Sequence, residues 1–161
     1  MPIPEFVARL REHVGPDLLW LPGVAAVVVR PSPVDGTNEV LLVQRADNLT
    51  WTVVTGILDP VEEPAVGAVR EVLEETGVVA RADRLVWAHT TPVVEFPNGD
   101  RSAFLSLCFR CSWVAGEPLV ADDESVDARW VRVDALPPMS DGQRRRIALA
   151  LENRPEAVFD T

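Results

Sequence analysis

The stretch GILDPVEEPAVGAVREVLEETGV, residues 56–78, decides the fold of this chain. A strand-like run ends at Gly56, and a loop then leads into an amphipathic segment. Pro64 suits the first turn of a helix, because proline lacks the backbone N–H that is unsatisfied there. Gly77 suits the position just after a helix, where a left-handed backbone is common. The spacing therefore predicts a strand, a loop, and a helix that ends near Thr76.

The glutamates of this helix cluster where an isolated helix would not favour them. Glu71 and Glu75 are like charges four residues apart, which disfavours a helix. Glu74 and Glu75 lie near the negative end of the helix dipole, at a cost of about 0.3–1 kcal/mol each. Arg70 can offset part of this cost by pairing with Glu74. A solvated acidic face is one interpretation; a site for a divalent cation is the other, since Mg²⁺ and Mn²⁺ prefer carboxylate oxygens. At 100° per residue, the helix is expected to gather its apolar side chains opposite the glutamates: Val66, Val69, Val72, Leu73 and Thr76.

The stretch resembles the signature box of the Nudix hydrolases. That box has a glycine, five residues, a glutamate, seven residues, and then Arg-Glu-apolar-x-Glu-Glu-x-Gly-apolar. The chain matches it at every required spacing with Gly56, Glu62, Arg70-Glu71-Val72, Glu74-Glu75 and Gly77-Val78. The resemblance implies an α/β fold, an α/β/α sandwich in which helices flank a mixed sheet. It also implies that residues 1–161 form one domain of this family.

The resemblance further implies metal-dependent hydrolysis of a nucleoside diphosphate linked to another group, with Mg²⁺ or Mn²⁺ as the cofactor. By resemblance, Glu71, Glu74 and Glu75 are metal ligands, and one of them is instead a base acting through water. A backbone carbonyl beside Gly56 commonly adds a ligand. Arg70 and Glu62 are expected to hold the loop and the helix together.

Two positions of the box loop depart from the family pattern. Thr55 stands where the family usually has glycine, and Val61 stands between Pro60 and Glu62 where glycine is common. A β-branched residue tolerates positive φ poorly. These departures bear on the shape of the loop and on the carbonyl ligand, and they leave the acidic positions unchanged.

Further candidate site residues lie outside the box. The segment 121–136 resembles the place where many family members have one further acidic group. By that resemblance Glu124, with Asp123 and Asp127 behind it, supplies this group, although a solvated acidic loop fits the sequence equally well. Arg45, at the end of a strand, could contact a phosphate or could be an ordinary surface arginine. One or two aromatic side chains are expected to contact a base, from the set Trp20, Trp51, Trp87, Phe96 and Phe104.

The rest of the chain reads as strands with two more helices. A short amphipathic helix is predicted over about 3–14 and a closing helix over about 140–152. Strands are predicted at 24–29, from 39 onward, at 50–56 and at 128–133. A long hairpin is predicted from 85–96 and 102–114, with its turn at 97–100.

The substrate branch is only weakly marked. Pro92 lies near the place where the ADP-ribose branch tends to carry a proline, which favours ADP-ribose or a nucleotide sugar. A nucleoside triphosphate pyrophosphohydrolase of the nucleotide-sanitising kind is the alternative, and a regulatory domain that binds a nucleotide without cleaving it is another. An isopentenyl diphosphate isomerase would need a cysteine before the box, and Cys108 and Cys111 both follow it.

The composition narrows the partners. The chain has 161 residues and a formal net charge of −10, so it should repel nucleic acid polymers and anionic membranes. The N-terminal segment lacks the features of a secretory signal, which leads us to expect a cytoplasmic protein. Cys108 and Cys111 are three apart in a strand-like run, so they should point to opposite faces and share neither a metal nor a disulfide. The family resemblance also allows a homodimer.

Overall fold

The computed structural model describes residues 4–96, 98–121 and 123–161. In chain order its helices and strands are α1 (Glu5–Val14), β1 (Leu19–Pro31), β2 (Asn38–Arg45), β3 (Trp51–Thr52), β4 (Val54–Ile57), α2 (Pro64–Thr76), β5 (Val79–Thr90), β6 (Val94–Glu95), β7 (Arg101–Ala115), β8 (Ser125–Arg132), α3 (Asp141–Glu152) and β9 (Val158–Phe159). Residue 3 of the predicted first helix and Pro97 of the predicted turn lie outside the described residues.

All the strands belong to one mixed sheet built around β1. The strand order is β3-β2-β1-β7-β5-β9, with β4 paired to β1, β6 to β7 and β8 to β2. Strands β1 and β2 are antiparallel, whereas β1 and β7 are parallel. Strand β1 pairs with β7 and also with the box strand β4, so β1 lies between β4 and β7.

The two faces of β1 carry two separate hydrophobic cores, because successive strand residues point to opposite sides. Val24, Ala26 and Val28 pack with Ala68 and Val72 of α2. Ala25, Val27 and Val29 pack with Ile147 and Ala150 of α3. A helix therefore covers each face of the sheet, and the predicted α/β/α sandwich with a mixed sheet is confirmed.

The first helix is fastened to the start of β7 by one side chain. The Arg11 guanidinium donates hydrogen bonds to the backbone carbonyl of Arg101 at 2.7 Å and to the Ser102 hydroxyl at 3.0 Å. Val7 of the same helix is buried. The helix α1 thus packs at the end of the sheet and leaves both sheet faces to α2 and α3.

Several element bounds differ from the sequence-based predictions. The strand β1 is longer than the apolar run 24–29, and the predicted strand 50–56 is divided at Val53 into β3, which pairs with β2, and β4, which pairs with β1. The division occurs because the chain crosses there from one neighbour to the other. The short strand β9 carries no strong sequence pattern and was not predicted.

The prediction that Cys108 and Cys111 point to opposite faces of the sheet is confirmed. Cys108 and Cys111 are free and buried, and they pack in opposite cores of the sheet. Burial raises the pKa of each thiol to about 12. In the described ranges, no helix is long and apolar enough to cross a membrane.

Candidate active site

Gly56 makes room for the first glutamate of the box. A Cβ atom built on Gly56 would lie 2.0 Å from Cδ of Glu71 and 2.2 Å from its Oε1 atom. Only the absence of a side chain on strand β4 therefore allows the Glu71 carboxylate to occupy this place. The contact joins the strand that ends at the loop to the helix that follows it, and it accounts for a glycine at this spacing from the glutamate.

The predicted inward side of α2 is confirmed for Val72 and Thr76, which are fully buried, but two glutamates predicted to lie outward are buried as well. Glu71 is 9% exposed and Glu75 7% exposed, whereas Val66 is 57% exposed and Leu73 51% exposed. The small residues Gly67 and Ala68 let the helix approach the sheet closely. Glu71 and Glu75 lie one and two turns further along the same side of the helix and are therefore buried as well. Two carboxylates are thereby held against the sheet, which a solvated acidic face would not do.

Arg70 ties the loop, the strand and the helix together. Its guanidinium donates to both carboxylate oxygens of Glu62, at 2.8 and 2.9 Å. It also donates to Glu71 at 3.0 Å and to Glu74 at 2.9 Å. The hydrogen bonds from Arg70 hold the pKa of Glu62 below its usual value. Arg70 and Glu62 thus join the loop to the helix, which suits the supporting roles predicted for them.

Val61 adopts the left-handed backbone that the box loop requires. Its φ is 62° and its side chain is fully exposed. The Glu62 carboxylate accepts a hydrogen bond from the backbone N–H of Asp59 at 3.1 Å, which closes the turn around Val61. The loop thus keeps its turn with a β-branched residue, at the expense of backbone strain.

Glu75 and Glu124 line one small cleft beside the box. The other residues that line it are Val43, Arg45, Thr52, Thr55 and Ser125. The backbone N–H of Ala46 donates to the Glu124 carbonyl at 2.7 Å, which fixes the start of β8 against the end of β2. The residue predicted from the acidic loop is therefore brought to the same cleft as a glutamate of the box.

Arg45 reaches the same cleft but is bound to another carboxylate. Its Nε and Nη2 atoms donate to the two carboxylate oxygens of Asp47, at 2.9 and 2.6 Å. Asp47 first, and the charges of Glu124 and Glu75 in addition, raise the pKa of Arg45. Arg45 would therefore have to break its hydrogen bonds to Asp47 before it could bind a phosphate.

The carboxylate of Glu71 is the most strongly perturbed acid of this region. Burial raises the pKa of Glu71 to about 7, and the neighbouring charges of Glu74 and Glu124 add to this effect. The guanidinium of Arg70 acts in the opposite direction but does not cancel the burial. A buried carboxylate next to further carboxylates is a place where positive charge would be stabilised.

The carboxylates fit a hard divalent cation in their chemistry, although their side chains are not gathered around one point. Across the described residues, no group of three or more His, Cys, Asp or Glu side chains is placed to hold a metal ion. The Glu74 side chain is 58% exposed and turned to Arg70. Oxygen donors such as Glu71, Glu74 and Glu75 are those that Mg²⁺ and Mn²⁺ prefer.

A larger cavity of about 540 Å³ opens next to this cleft and shares Arg45, Thr52 and Thr55 with it. Gly56 lies in the cavity wall on the side of the box, and Phe96 and Phe104 lie there among the aromatic candidates. Trp20, Trp51 and Trp87 are not among the residues that line this cavity. The cavity therefore joins the acidic cleft to an apolar and aromatic surface.

Two residues of α3 line the cavity and were missed by sequence reasoning, namely Gln143 and Arg146. The run Arg144-Arg145-Arg146 was visible in the sequence, but nothing in it shows which arginine points inward. Only the docking of α3 on the sheet decides that.

Comparisons with known proteins support the family resemblance and the fold. The NUDIX domain family model matches residues 21–151. A MutT-like protein of Streptomyces ambofaciens is 36% identical over 133 residues, which is 81% of this chain and 75% of the relative. The NAD-capped RNA hydrolase NudC of Pseudomonas fluorescens is 26% identical over 80% of this chain, and the chain spans only 51% of that relative. The crystal structure of an ADP-ribose pyrophosphatase from Streptococcus suis shares the fold, with a TM-score of 0.64 and 24% identity over 90% of this chain and 99% of that one.

The chain therefore belongs to the NUDIX family. Within it the chain is a Nudix pyrophosphohydrolase, with the box residues Gly56, Glu71 and Glu75 placed as described above.

Proposed function

We propose that this enzyme cleaves the pyrophosphate bond of a nucleoside diphosphate linked to a second group, with ADP-ribose or a nucleotide sugar as the substrate class. The observation that carries the proposal is the shared wall between the acidic cleft and the large cavity. Arg45, Thr52 and Thr55 face both spaces. A substrate lying across this wall would have its phosphates near the carboxylates and its organic part in the cavity.

The cavity has a suitable size and lining for a nucleotide. Its volume of about 540 Å³ lies within the range of pockets that bind small molecules. Phe96 and Phe104 offer aromatic surface, and Thr91, Gln143 and Arg146 offer polar groups. A base and sugar need both kinds of contact, whereas inorganic pyrophosphate would need neither.

The residues of the chain divide the chemistry among themselves. Glu71, Glu74 and Glu75, with the carbonyl of Gly56, would hold Mg²⁺ or Mn²⁺, which supplies neutralisation of the phosphate charge and a bound water of lowered pKa. One of Glu75 and Glu124, which line the same cleft, would accept the proton of the water that attacks phosphorus. Arg70 would hold Glu71 and Glu74 in register with the loop. Glu74 must leave Arg70 to act as a ligand.

A substrate panel with two matched variants tests this proposal. Purified protein with MgCl₂ is incubated with ADP-ribose, nucleotide sugars, NAD and nucleoside triphosphates, and the phosphate-containing products are separated and quantified. We expect cleavage of at least one diphosphate-linked substrate, and a loss of about 10²–10⁴-fold in kcat for Glu75→Gln. Glu63→Gln is the control, because Glu63 is an exposed acid just before the same helix.

The alternatives give different outcomes. Cleavage of triphosphates alone would replace the proposed substrate class with the nucleotide-sanitising one. Equal activity of Glu75→Gln and the wild type would contradict the role given to the cleft. Tight nucleotide binding without turnover of any substrate would indicate a regulatory domain.

We also propose that residues 1–161 act as one domain, with α1 as part of it through Arg11 and Val7. A homodimer stays a prediction, which sedimentation equilibrium would check.

A further inference from the structure

Arg146 is a half-buried cation without a carboxylate partner in the described part of the chain. Its Nη2 atom donates to the Ser106 hydroxyl at 3.2 Å, and its Nε atom is buried without a hydrogen-bond partner. Burial lowers the pKa of Arg146. The nearby imidazole of His89 cannot balance this charge, because a histidine is never an anion. Burial, and in addition the charge of Arg146, lower the pKa of His89. A buried charge is normally paired, so this guanidinium is left ready for an acceptor.

The neighbouring arginines of α3 show that this burial is particular to one position. Arg145 pairs with Asp160 at 2.7 Å and lies over the ring of Trp87. Arg144 is exposed, and its guanidinium makes a long contact of 3.4 Å with the Pro137 carbonyl. Of the three, Arg146 alone lines the large cavity.

Arg146 lies at the end of the cavity away from the box. Gly56 pairs with Val24 of β1, and the adjacent residue Gly23 pairs with Ser106 of β7. Ser106 is therefore two strands from Gly56, or about 10 Å at the usual strand spacing. Arg146 contacts Ser106 and so lies about two strands from the box glycine, a separation comparable with that between the diphosphate and the base of a nucleotide. The arginine on the phosphate side is Arg45.

The aromatic residues share this part of the cavity with Arg146. Phe104 and Ser106 are two apart on β7 and so point to the same face of the sheet. Phe96 follows β6, which pairs with the start of β7, and lines the same cavity. An aromatic surface beside a guanidinium suits a planar ring that both stacks and accepts hydrogen bonds.

We propose that Arg146 is a specificity-determining residue that recognises the keto edge of a guanine base held against Phe104 and Phe96. Guanine presents two acceptors, O6 and N7, which match the paired donors of a guanidinium. Adenine presents an amino group in place of O6, so a donor would face a donor and Arg146 would stay unpaired. A site whose buried donors are left unsatisfied rejects the wrong ligand strongly. The inference rests on the proposed function and, of the two substrate classes named there, selects a guanine nucleotide sugar and disfavours ADP-ribose.

Binding of nucleoside diphosphates tests this assignment independently of turnover. Dissociation constants for GDP, ADP, UDP and CDP are measured by titration calorimetry with wild type, Arg146→Gln, Arg146→Lys and Arg144→Gln. We expect wild type to bind GDP about tenfold or more tightly than ADP. Arg146→Gln should lose that factor for GDP and change ADP binding by less than about twofold. Arg146→Lys should also lose most of it, because an ammonium lacks the planar fork. Arg144→Gln should behave as wild type.

The contrary results are distinct. Equal losses for all four nucleotides in Arg146→Gln, with binding retained in Arg146→Lys, would mean that Arg146 binds phosphate, and would overturn the assignment. Equal binding of GDP and ADP by wild type would overturn it as well. Circular dichroism shows whether Arg146→Gln folds, and if it does not, Arg146→Lys decides. Preferential GDP binding without cleavage of any GDP-linked substrate would support the guanine assignment and contradict the proposed hydrolysis. Cleavage of nucleotide sugars without any base preference would support the hydrolysis and contradict the guanine assignment.

Discussion

At the scale of single residues, Val61 is the place where the box loop stores strain. A non-glycine residue with left-handed φ costs about 1–2 kcal/mol, and Val61 has φ of 62° with a fully exposed side chain. Val61→Gly would release this strain without loss of buried surface, because the Val61 side chain is exposed. The greater freedom of glycine in the unfolded chain would cost about 0.5–1 kcal/mol of stability. We therefore expect a net stabilisation of about 0.5–1 kcal/mol, measured by urea unfolding.

A matched valine supplies the control for this prediction. Val66 is also exposed but lies within α2. Val66→Gly should destabilise the protein by several tenths of a kcal/mol, since glycine is the poorer helix former. If both glycine variants destabilise equally, the left-handed turn at Val61 is not strained.

Glu71 is the residue whose charge the fold tolerates least without a cation. Burial raises the pKa of Glu71 to about 7 in the folded protein, above its ordinary value of 4.5. The protonated form is favoured in the folded state, so the contribution of Glu71 to stability is complete below about pH 4.5 and is lost as the pH rises through about 7. The melting temperature of Glu71→Gln minus that of wild type, both measured in EDTA, should therefore be about 2–4 °C more positive at pH 8 than at pH 5.

Glu63 provides the comparison for the pH prediction because it is an exposed glutamate just before the same helix. The difference between Glu63→Gln and wild type should change little over the same pH range. A gain for Glu71→Gln that is the same at pH 5 and pH 8 would mean that the ionisation of Glu71 is not what destabilises the metal-free protein.

At the scale of elements, the limits of the helices could be read from the sequence because their ends have local causes. Pro64 begins α2, and Gly77 ends it with φ of 69°. The side that α2 buries could not be read in the same way. Hydrophobicity placed Val66 and Leu73 inward, whereas the close approach allowed by Gly67 and Ala68 turned Glu71 and Glu75 inward. The contact between Glu71 and Gly56 depends on two elements at once, and periodicity along one element does not contain it.

The candidate site shows the same division between local and assembled features. The spacing of the box predicted that Glu71, Glu74 and Glu75 act together. The structure turns Glu74 to Arg70 and places Glu75 beside Glu124 in one cleft. The arginine at the far end of the cavity was not predictable, because Arg144, Arg145 and Arg146 are alike in sequence. The packing of α3 against β7 decides which of them lines the cavity. Arg146 and Ser106, which meet there, are 40 residues apart in the sequence.

At the scale of the whole molecule, the net charge of −10 and the inward glutamates make the fold dependent on counter-charge. A cation that binds only the folded state stabilises it by mass action, by about 1.4 kcal/mol at ten times its dissociation constant. For a chain of this size that is about 3–6 °C in melting temperature. We therefore expect MgCl₂ to raise the melting temperature well above the effect of NaCl at the same ionic strength, since NaCl only screens the surface charge. The Mg²⁺-specific part should disappear in Glu75→Gln and persist in Glu63→Gln, as followed by differential scanning calorimetry. Equal effects of the two salts, or an unchanged response in Glu75→Gln, would show that the carboxylates of α2 do not form the cation site.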